Sequence, residues 1–340
     1  MGAEDNLNKY LHLLKDKDPL HSSLIHQLLE YRATVADNEI NHRLLQELIS
    51  KYAESEMRLK KLNQELTLKQ DRLEQDLIAA AEIQKSLLPT NVNYGEILDV
   101  AWRFQPCDKI GGDIFNIIQL NEDYWAFYII DVAGHGVPAA MVAVTVYQYL
   151  QLQSGNLMLR PENSLNNQEV RQPAQVLKFL DREYPFERFN NFFTMNYVIL
   201  NIKTGTVTSS SAGHPPPIIL RKDGTVVTLK KGGRPIGTID LRIATDKPIV
   251  YEQDREQIGA EDKLLFYTDG VFEYQNDRGE FYGNKRFHEK LTALKDQPVS
   301  DLIEASFESL MVFGNNTAPK DDISLLGIQL KNLGTNPSIN

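Results

Sequence analysis

The sequence predicts an α+β fold, with sheets held between helical layers and an all-α region in front of them. Three observations carry this. There is no glycine between Gly2 and Gly95, and Pro19 is the only proline before Pro89, in a stretch rich in Leu, Glu, Lys and Gln. So long a run without breakers reads as helix. After Gly95 the texture changes to short β-branched and aromatic runs separated by turn residues, which read as strands. Those strands are interrupted by one central pair of helical segments and closed by a second pair, the pattern of sheets covered by helices.

In order, residues 7–14 and 20–35 read as short helices on either side of Asp18-Pro19, and a longer helix runs from about residue 38 to 88. Its apolar positions recur at heptad spacing: Leu45, Tyr52, Leu59, Leu66, Leu73, Ala80 and Leu87. The companion row, Leu48, Ser55, Leu62, Lys69, Asp76 and Ile83, is interrupted by polar residues. This imperfect heptad predicts a dimeric coiled coil of modest stability, because the stripe outlasts what a helix packed on its own domain needs. Pro89 ends the helix and residues 90–95 form a linker. The expected organisation is a helical segment over 1–37, a linker helix over 38–90, an α+β domain over 91–331 and a flexible tail over 332–340.

Within the α+β domain, strands are expected over 98–105, 114–120 and 124–130, the last two forming a hairpin around Asn121-Glu122-Asp123. A helix over 137–151 follows, then a polar loop over 154–172 and a second helix over 173–187. Strands return over 192–202 and 206–212 around Lys203-Thr204-Gly205, and over 217–221 and 226–229 around Lys222-Asp223-Gly224. Further strands are expected over 248–253, 263–268 and 323–330, with helices over 285–294 and 299–313. In the last helix Leu302, Ile303, Phe307 and Leu310 share one face.

The stretch from Tyr124 to Ile130 has no polar alternation and reads as a strand buried on both faces. It stops on Asp131, where a carboxylate is costly unless something pairs with it. Gly134 and Gly136 allow a sharp turn, and Pro138 suits a first helical position. An isolated Asp here would ordinarily cap the helix. Three other sites repeat the pattern, however. Gly111-Gly112-Asp113 precedes a strand, the apolar run 263–268 ends on Asp269-Gly270, and Asp321-Asp322 opens the final strand. Carboxylates gathered at strand ends repel one another unless cations lie between them, and hard divalent ions prefer such oxygen ligands. Four carboxylates balance two dications, and a two-metal site can lower the pKa of a bridging water for in-line attack on phosphorus. The backbone carbonyl of Val132, beside the glycines, is a further candidate ligand. His135 and His214 sit in Gly/Pro turns without ligand-pair spacing and read as turn or supporting residues.

Composition narrows the function. The 340-residue chain has a formal net charge of −10, against a nucleic-acid footprint, and no apolar run of membrane-spanning length. Its one cysteine, Cys107, excludes an internal disulfide framework and suits a reducing cytoplasm.

The motifs occur in an order that resembles the metal-dependent PPM serine/threonine phosphatases, in their bacterial RsbU/SpoIIE-like branch. These are Ala81-Glu82-Ile83-Gln84-Lys85-Ser86-Leu87-Leu88-Pro89 as the lead-in helix, Gly111-Gly112-Asp113, Asp131-Val132-Ala133-Gly134-His135-Gly136, Phe193-Thr194-Met195, Ala212-Gly213-His214-Pro215-Pro216, Gly233-Arg234-Pro235-Ile236-Gly237, Thr268-Asp269-Gly270 and Asp321-Asp322-Ile323-Ser324. The resemblance covers residues 91–330 and implies an antiparallel β-sandwich flanked by helices, the αββα fold of that family. It places Asp113, Asp131, Asp269 and Asp321 at catalytic metal-ligand positions for two Mn²⁺ or Mg²⁺ ions, with Val132 contributing its carbonyl and Asp322 ranked below Asp321. Asn116 departs from the pattern, since many relatives carry a further Asp in that segment. The implied substrate is a phosphoserine or phosphothreonine on a STAS-type anti-sigma-factor antagonist. The implied setting is partner-switching signalling in a homodimer, with an upstream partner on the N-terminal helices. Two rivals are a catalytically silent scaffold, disfavoured by the four aspartates, and a metal-dependent nucleotide cyclase or nucleotidyl transferase, disfavoured by the lack of a P-loop or dinucleotide fingerprint.

Overall fold

The structure is a computed structural model that describes residues 27, 30, 39–89, 97–151, 159–161, 168–238 and 250–331. The short helices expected over 7–14 and 20–35, the linker over 90–95 and the tail over 332–340 lie outside the described residues, apart from single positions in the second helix. The chain divides into two compact units, Met1–Asp76 and Leu77–Asn340.

The first unit's described part is most of helix α1, Glu39–Leu87. Its heptad leucines face solvent: Leu59, Leu66 and Leu73 are each more than half exposed, as are Leu48 and Leu62 of the companion row. No described helix is long and apolar enough to cross a membrane.

The second unit is a four-layer α/β/β/α sandwich. Strands β1 (Leu98–Gln105), β2 (Ile114–Gln119) and β3 (Tyr124–Val132) lead into α2 (Val137–Leu150). A short ladder of β4 (Leu159–Pro161) and β5 (Gln168–Val170) follows, then α3 (Pro173–Glu183) and the single-turn α4 (Phe186–Phe189). The chain returns through β6 (Phe193–Asn201), β7 (Thr206–Ala212), β8 (Ile218–Leu220), β9 (Val226–Thr228), β10 (Gly232–Gly233), β11 (Asp254–Gln257) and β12 (Lys263–Tyr267). It closes with α5 (Gly270–Glu273), α6 (Gly283–Ala293), α7 (Val299–Phe313) and β13 (Ile323–Leu330). One sheet has the order β1-β13-β12-β8-β9 and the other β10-β7-β6-β3-β2, with β11 on the far edge of β7. All pairings are antiparallel except β10 with β7.

Alternation along the strands explains why their sequences are apolar throughout. In β12, Leu264 and Phe266 point between the sheets, whereas Leu265 and Tyr267 meet the helices outside. In β13, Leu326 and Ile328 face inward, and Ile323 and Leu325 face the outer layer with Leu302, Ile303 and Leu310 of α7. Phe127 of β3 and Phe266 of β12 meet across the sandwich with ring centroids 6.3 Å apart. On the other outer face, α2 and α3 bring Ala143, Val146, Val176, Leu177 and Leu180 into the main core.

Three sequence expectations are corrected. The helix expected over 173–187 stops at Glu183, because Pro185 cannot donate a helical hydrogen bond, and a separate turn begins at Phe186. The strand expected over 248–253 is found instead at Asp254–Gln257; residues 250–253 are not in a strand, and 248 and 249 lie outside the described residues. This edge strand is wholly polar, so it has no apolar signature to read. The polar loop over 154–172 contains the β4–β5 ladder.

The contact between Phe127 and Phe266 predicts the cost of opening the sandwich. Phe127→Ala should lower unfolding free energy by about 3–5 kcal/mol, read as a lower urea midpoint at unchanged m-value. A shift under about 1 kcal/mol would show that the sheets are not held together there.

Candidate metal centre

Antiparallel pairing places four strand ends at one edge of the sandwich. In the β2–β3 hairpin Ile114 pairs with Ile130, so Asp113 before β2 and Asp131 near the end of β3 are neighbours. In the other sheet β12 ends just before Asp269, and β13 begins just after Asp321 and Asp322. Depth differs among them. Asp113 is buried, Asp131 and Asp269 are partly buried, and Asp321 is exposed.

The two sheets are stitched together at this edge. Ser324 Oγ, on β13, donates to Asp113 Oδ2 at 2.6 Å, leaving Asp113 Oδ1 buried without a hydrogen-bond partner. The buried carboxylate of Asp322 accepts from the Cys107 amide at 2.8 Å through Oδ1. Its Oδ2 accepts from the amides of Gly112 at 2.6 Å and Asp113 at 3.3 Å. Asp322 is therefore engaged with the backbone of the 107–113 loop, whereas Asp321 accepts at 2.8 Å from the Asp322 amide through Oδ1. Glycine is required where the strands converge. A Cβ on Gly112 would lie 2.8 Å from the Val132 carbonyl oxygen, and one on Gly270 only 2.1 Å from that of Asp322.

The electrostatics match this crowding. Burial, then the charges of Asp131 and Asp322, push Asp113 well above the usual carboxylate range. Burial, then Asp269, Asp321 and Asp322, push Asp131 up to about 8. Asp269 is raised by burial and then by Glu273, and Asp321 by burial and then by Asp269 and Asp322, against the lowering effects of the Asp322 amide and His135. Among the described residues no three His, Cys, Asp or Glu side chains converge closely enough to enclose one ion. Like charges favour such a spread arrangement, and hard dications that keep several waters need only one or two carboxylates each. The uncompensated negative charge, the partnerless Asp113 Oδ1 and Asp269 Oδ1 and the all-oxygen donor set fit divalent cations.

The histidines divide. His135 is exposed on the turn after β3. His214 is buried and held by Thr194 Oγ1 at 2.6 Å from its Nδ1, next to the Thr194–Asp131 register pair, and burial lowers it to about 3. It is a neutral supporting residue. Cys107 is pushed up to about 12, by burial and then by Asp322, so it is a poor nucleophile. Sequence reasoning ranked Asp322 below Asp321 as a ligand without seeing its hold on the loop, and gave no role to Ser324 or Gln84. Asp322 and Ser324 lie in the last strand's opening motif, but which acid of a pair turns inward depends on the fold. Gln84 had a signal in its place within the lead-in helix.

A family model described as stage II sporulation protein E (SpoIIE) matches residues 121–331. The phosphoserine phosphatase RsbU of Bacillus subtilis is 29% identical over 213 residues, 62% of this chain and 57% of the relative. Protein IcfG of Synechocystis is 26% identical over 269 residues, 74% of this chain and 41% of the relative. The chain thus spans about half the length of these curated relatives. The PP2C domain of SiaA from Pseudomonas aeruginosa superposes with a TM-score of 0.61 at 21% identity, over 76% of this chain and 98% of that domain, a likeness of fold.

The raised carboxylates predict how metal-free protein responds to pH. An acid that holds its proton more tightly when folded destabilises the fold as pH rises from its ordinary value to its folded one, for Asp131 from 3.8 to about 8. The melting temperature of metal-free protein should therefore fall between pH about 5 and about 8. Asp131→Asn should flatten that fall and melt above wild type at the alkaline end. A wild-type melting temperature that rises over this interval would contradict the assignment.

Proposed function

The chain belongs to the SpoIIE family, and on that premise we propose that it is a metal-dependent phosphoserine/phosphothreonine protein phosphatase. The observation that carries the reading is the gathering of Asp113, Asp131, Asp269 and Asp321 at one edge of two stacked sheets, each carboxyl group raised by burial and then by neighbouring carboxylates. In this reading those four side chains and the Val132 carbonyl hold two Mn²⁺ or Mg²⁺ ions. Bound there, such ions offset phosphate charge and acidify a coordinated water enough to attack phosphorus.

The chain's own residues do the positioning. Ser324 orients Asp113 from the opposite sheet, Asp322 fixes the loop that leads to it, and His214 supports Thr194 beside Asp131. Neither Cys107 nor His214 is suited to nucleophilic attack, the thiol being held protonated and the imidazole buried. The reading is thus direct hydrolysis without a phosphoenzyme. The substrate is taken to be a phosphorylated STAS-type anti-sigma-factor antagonist in partner switching, by analogy with the family. The exposed leucines of α1 support a homodimer through a coiled coil, and an upstream partner that orders this coil would regulate the enzyme.

Two experiments test this. Asp131→Asn and Asp269→Asn should retain the fold yet lower Mn²⁺-dependent hydrolysis of a phosphorylated STAS protein by a factor on the order of 10² or more. Near wild-type turnover by both at limiting Mn²⁺ would remove the site assignment. Replacing Lys69 and Asp76 with Leu and Ile should strengthen the dimer, seen by light scattering, and raise basal activity. A tighter dimer with unaltered kinetics would leave the helix a passive spacer.

A further inference from the structure

The last turns of α1 belong to the same compact unit as the acidic edge. Gln84 and Leu88 are buried and Leu77, Ala80, Ala81 and Leu87 partly buried, whereas Ile78 and Ile83 are exposed. Their spacing is that of one helix face. Five of these six are apolar. Gln84, at the centre of the face, is only 3% exposed. Burying a carboxamide is unfavourable unless both its donor and its acceptor are satisfied. Both are satisfied by one residue: Gln84 Nε2 donates to the Gly111 carbonyl at 2.7 Å, and Gln84 Oε1 accepts from the Gly111 amide at 3.2 Å.

That residue lies two positions before Asp113. From its other side the same loop is held by Asp322, which takes the amides of Cys107, Gly112 and Asp113. Gly111 is confined between the two clamps, since a Cβ on it would lie 2.4 Å from Asp322 Oδ2. Gly112 in turn abuts the Val132 carbonyl. A continuous set of contacts therefore runs from the helix through Gln84 and Gly111 to Asp113 and Val132. Anchoring the helix does not require a glutamine. Leu88 is already in the core, Leu87 packs against it, and Trp102 Nε1 donates to the Pro89 carbonyl at 3.0 Å. The glutamine does what an apolar side chain could not, which is to fix a peptide group of the loop.

We propose that Gln84 is a positioning residue for the metal centre: by clamping the Gly111 peptide group it sets where Asp113 stands, and with it how tightly a cation is held. This rests on the reading of Asp113 as a cation ligand. The test uses the full chain as wild type, Gln84→Met, which keeps length but not hydrogen bonding, Gln84→Glu, which keeps the acceptor alone, and Glu82→Gln as a control on the exposed face of the same turn. Mn²⁺ binding is measured by calorimetry, and Mn²⁺-dependent hydrolysis of p-nitrophenyl phosphate in parallel.

Gln84→Met should weaken Mn²⁺ binding by about 10-fold or more, the scale found when a ligand's supporting partners are removed. Turnover at saturating Mn²⁺ should stay within about twofold of wild type, while Gln84→Glu also weakens binding and Glu82→Gln does not. Hydrogen exchange over residues 107–113 of the metal-free protein should speed up in Gln84→Met. Folded Gln84→Met with wild-type Mn²⁺ affinity would overturn the proposal and leave the phosphatase reading standing. Wild type that binds no Mn²⁺ would overturn both. Loss of fold in both Gln84 variants would overturn the proposal by making Gln84 a structural residue.

Discussion

The burial of several carboxylates beside one another at one edge of the sandwich is the constraint on which the rest of the second unit depends. A fold that only needed stability would not collect Asp113, Asp131, Asp269 and Asp321 within electrostatic reach of one another, because each raises the cost of ionising its neighbours. The apolar sandwich behind them supplies the rigidity that keeps them there. Phe127, Phe266, Leu326 and Ile328 fill the space between the sheets, so the strand ends cannot spread to relieve the charge without opening the core. Neutral hydrogen bonds and backbone amides handle the remainder. Ser324 takes one oxygen of Asp113, and Asp322 spends its charge on three amides.

The pair Asp321-Asp322 shows how adjacent identical residues acquire opposite roles. Antiparallel pairing fixes β13 from Ile323 onward, and the two residues before it take different orientations. One carboxylate turns into the 107–113 loop and is consumed by it. The other stays at the rim, exposed and raised.

Much of this was legible in the sequence, for reasons that can be named. The strands with continuous apolar character, β3, β12 and β13, are buried on both faces, and burial is what their composition records. The hairpins were readable because Asn121-Glu122-Asp123 and Lys203-Thr204-Gly205 supply turn chemistry between such runs. What failed was governed by long-range pairing. Strand β11 is polar because it lies at the edge of its sheet, beyond β7, and only the register Asp254 with Ser209 through Gln257 with Thr206 makes it a strand. The acids could be picked out because a charge ending an apolar strand is anomalous wherever it occurs. Their partners could not. Ser324 and Gln84 are ordinary polar residues whose importance comes from what lies opposite them, more than 200 positions away for Ser324 and Asp113.

The Cys107 amide, held by Asp322, gives its own side chain an unusual chemical isolation. With the thiol pushed up to about 12 by burial and by the neighbouring carboxylate, the reactive thiolate is scarce at neutral pH. Peroxide and electrophiles attack thiolates, so the sole cysteine of the chain is a poor target for them even though it lies on the loop leading to Asp113. Enzymes that remove phosphate with a low-pKa cysteine are silenced by oxidants. With its one thiol held protonated by burial and by the neighbouring carboxylate, the loop leading to Asp113 offers oxidants little thiolate to attack.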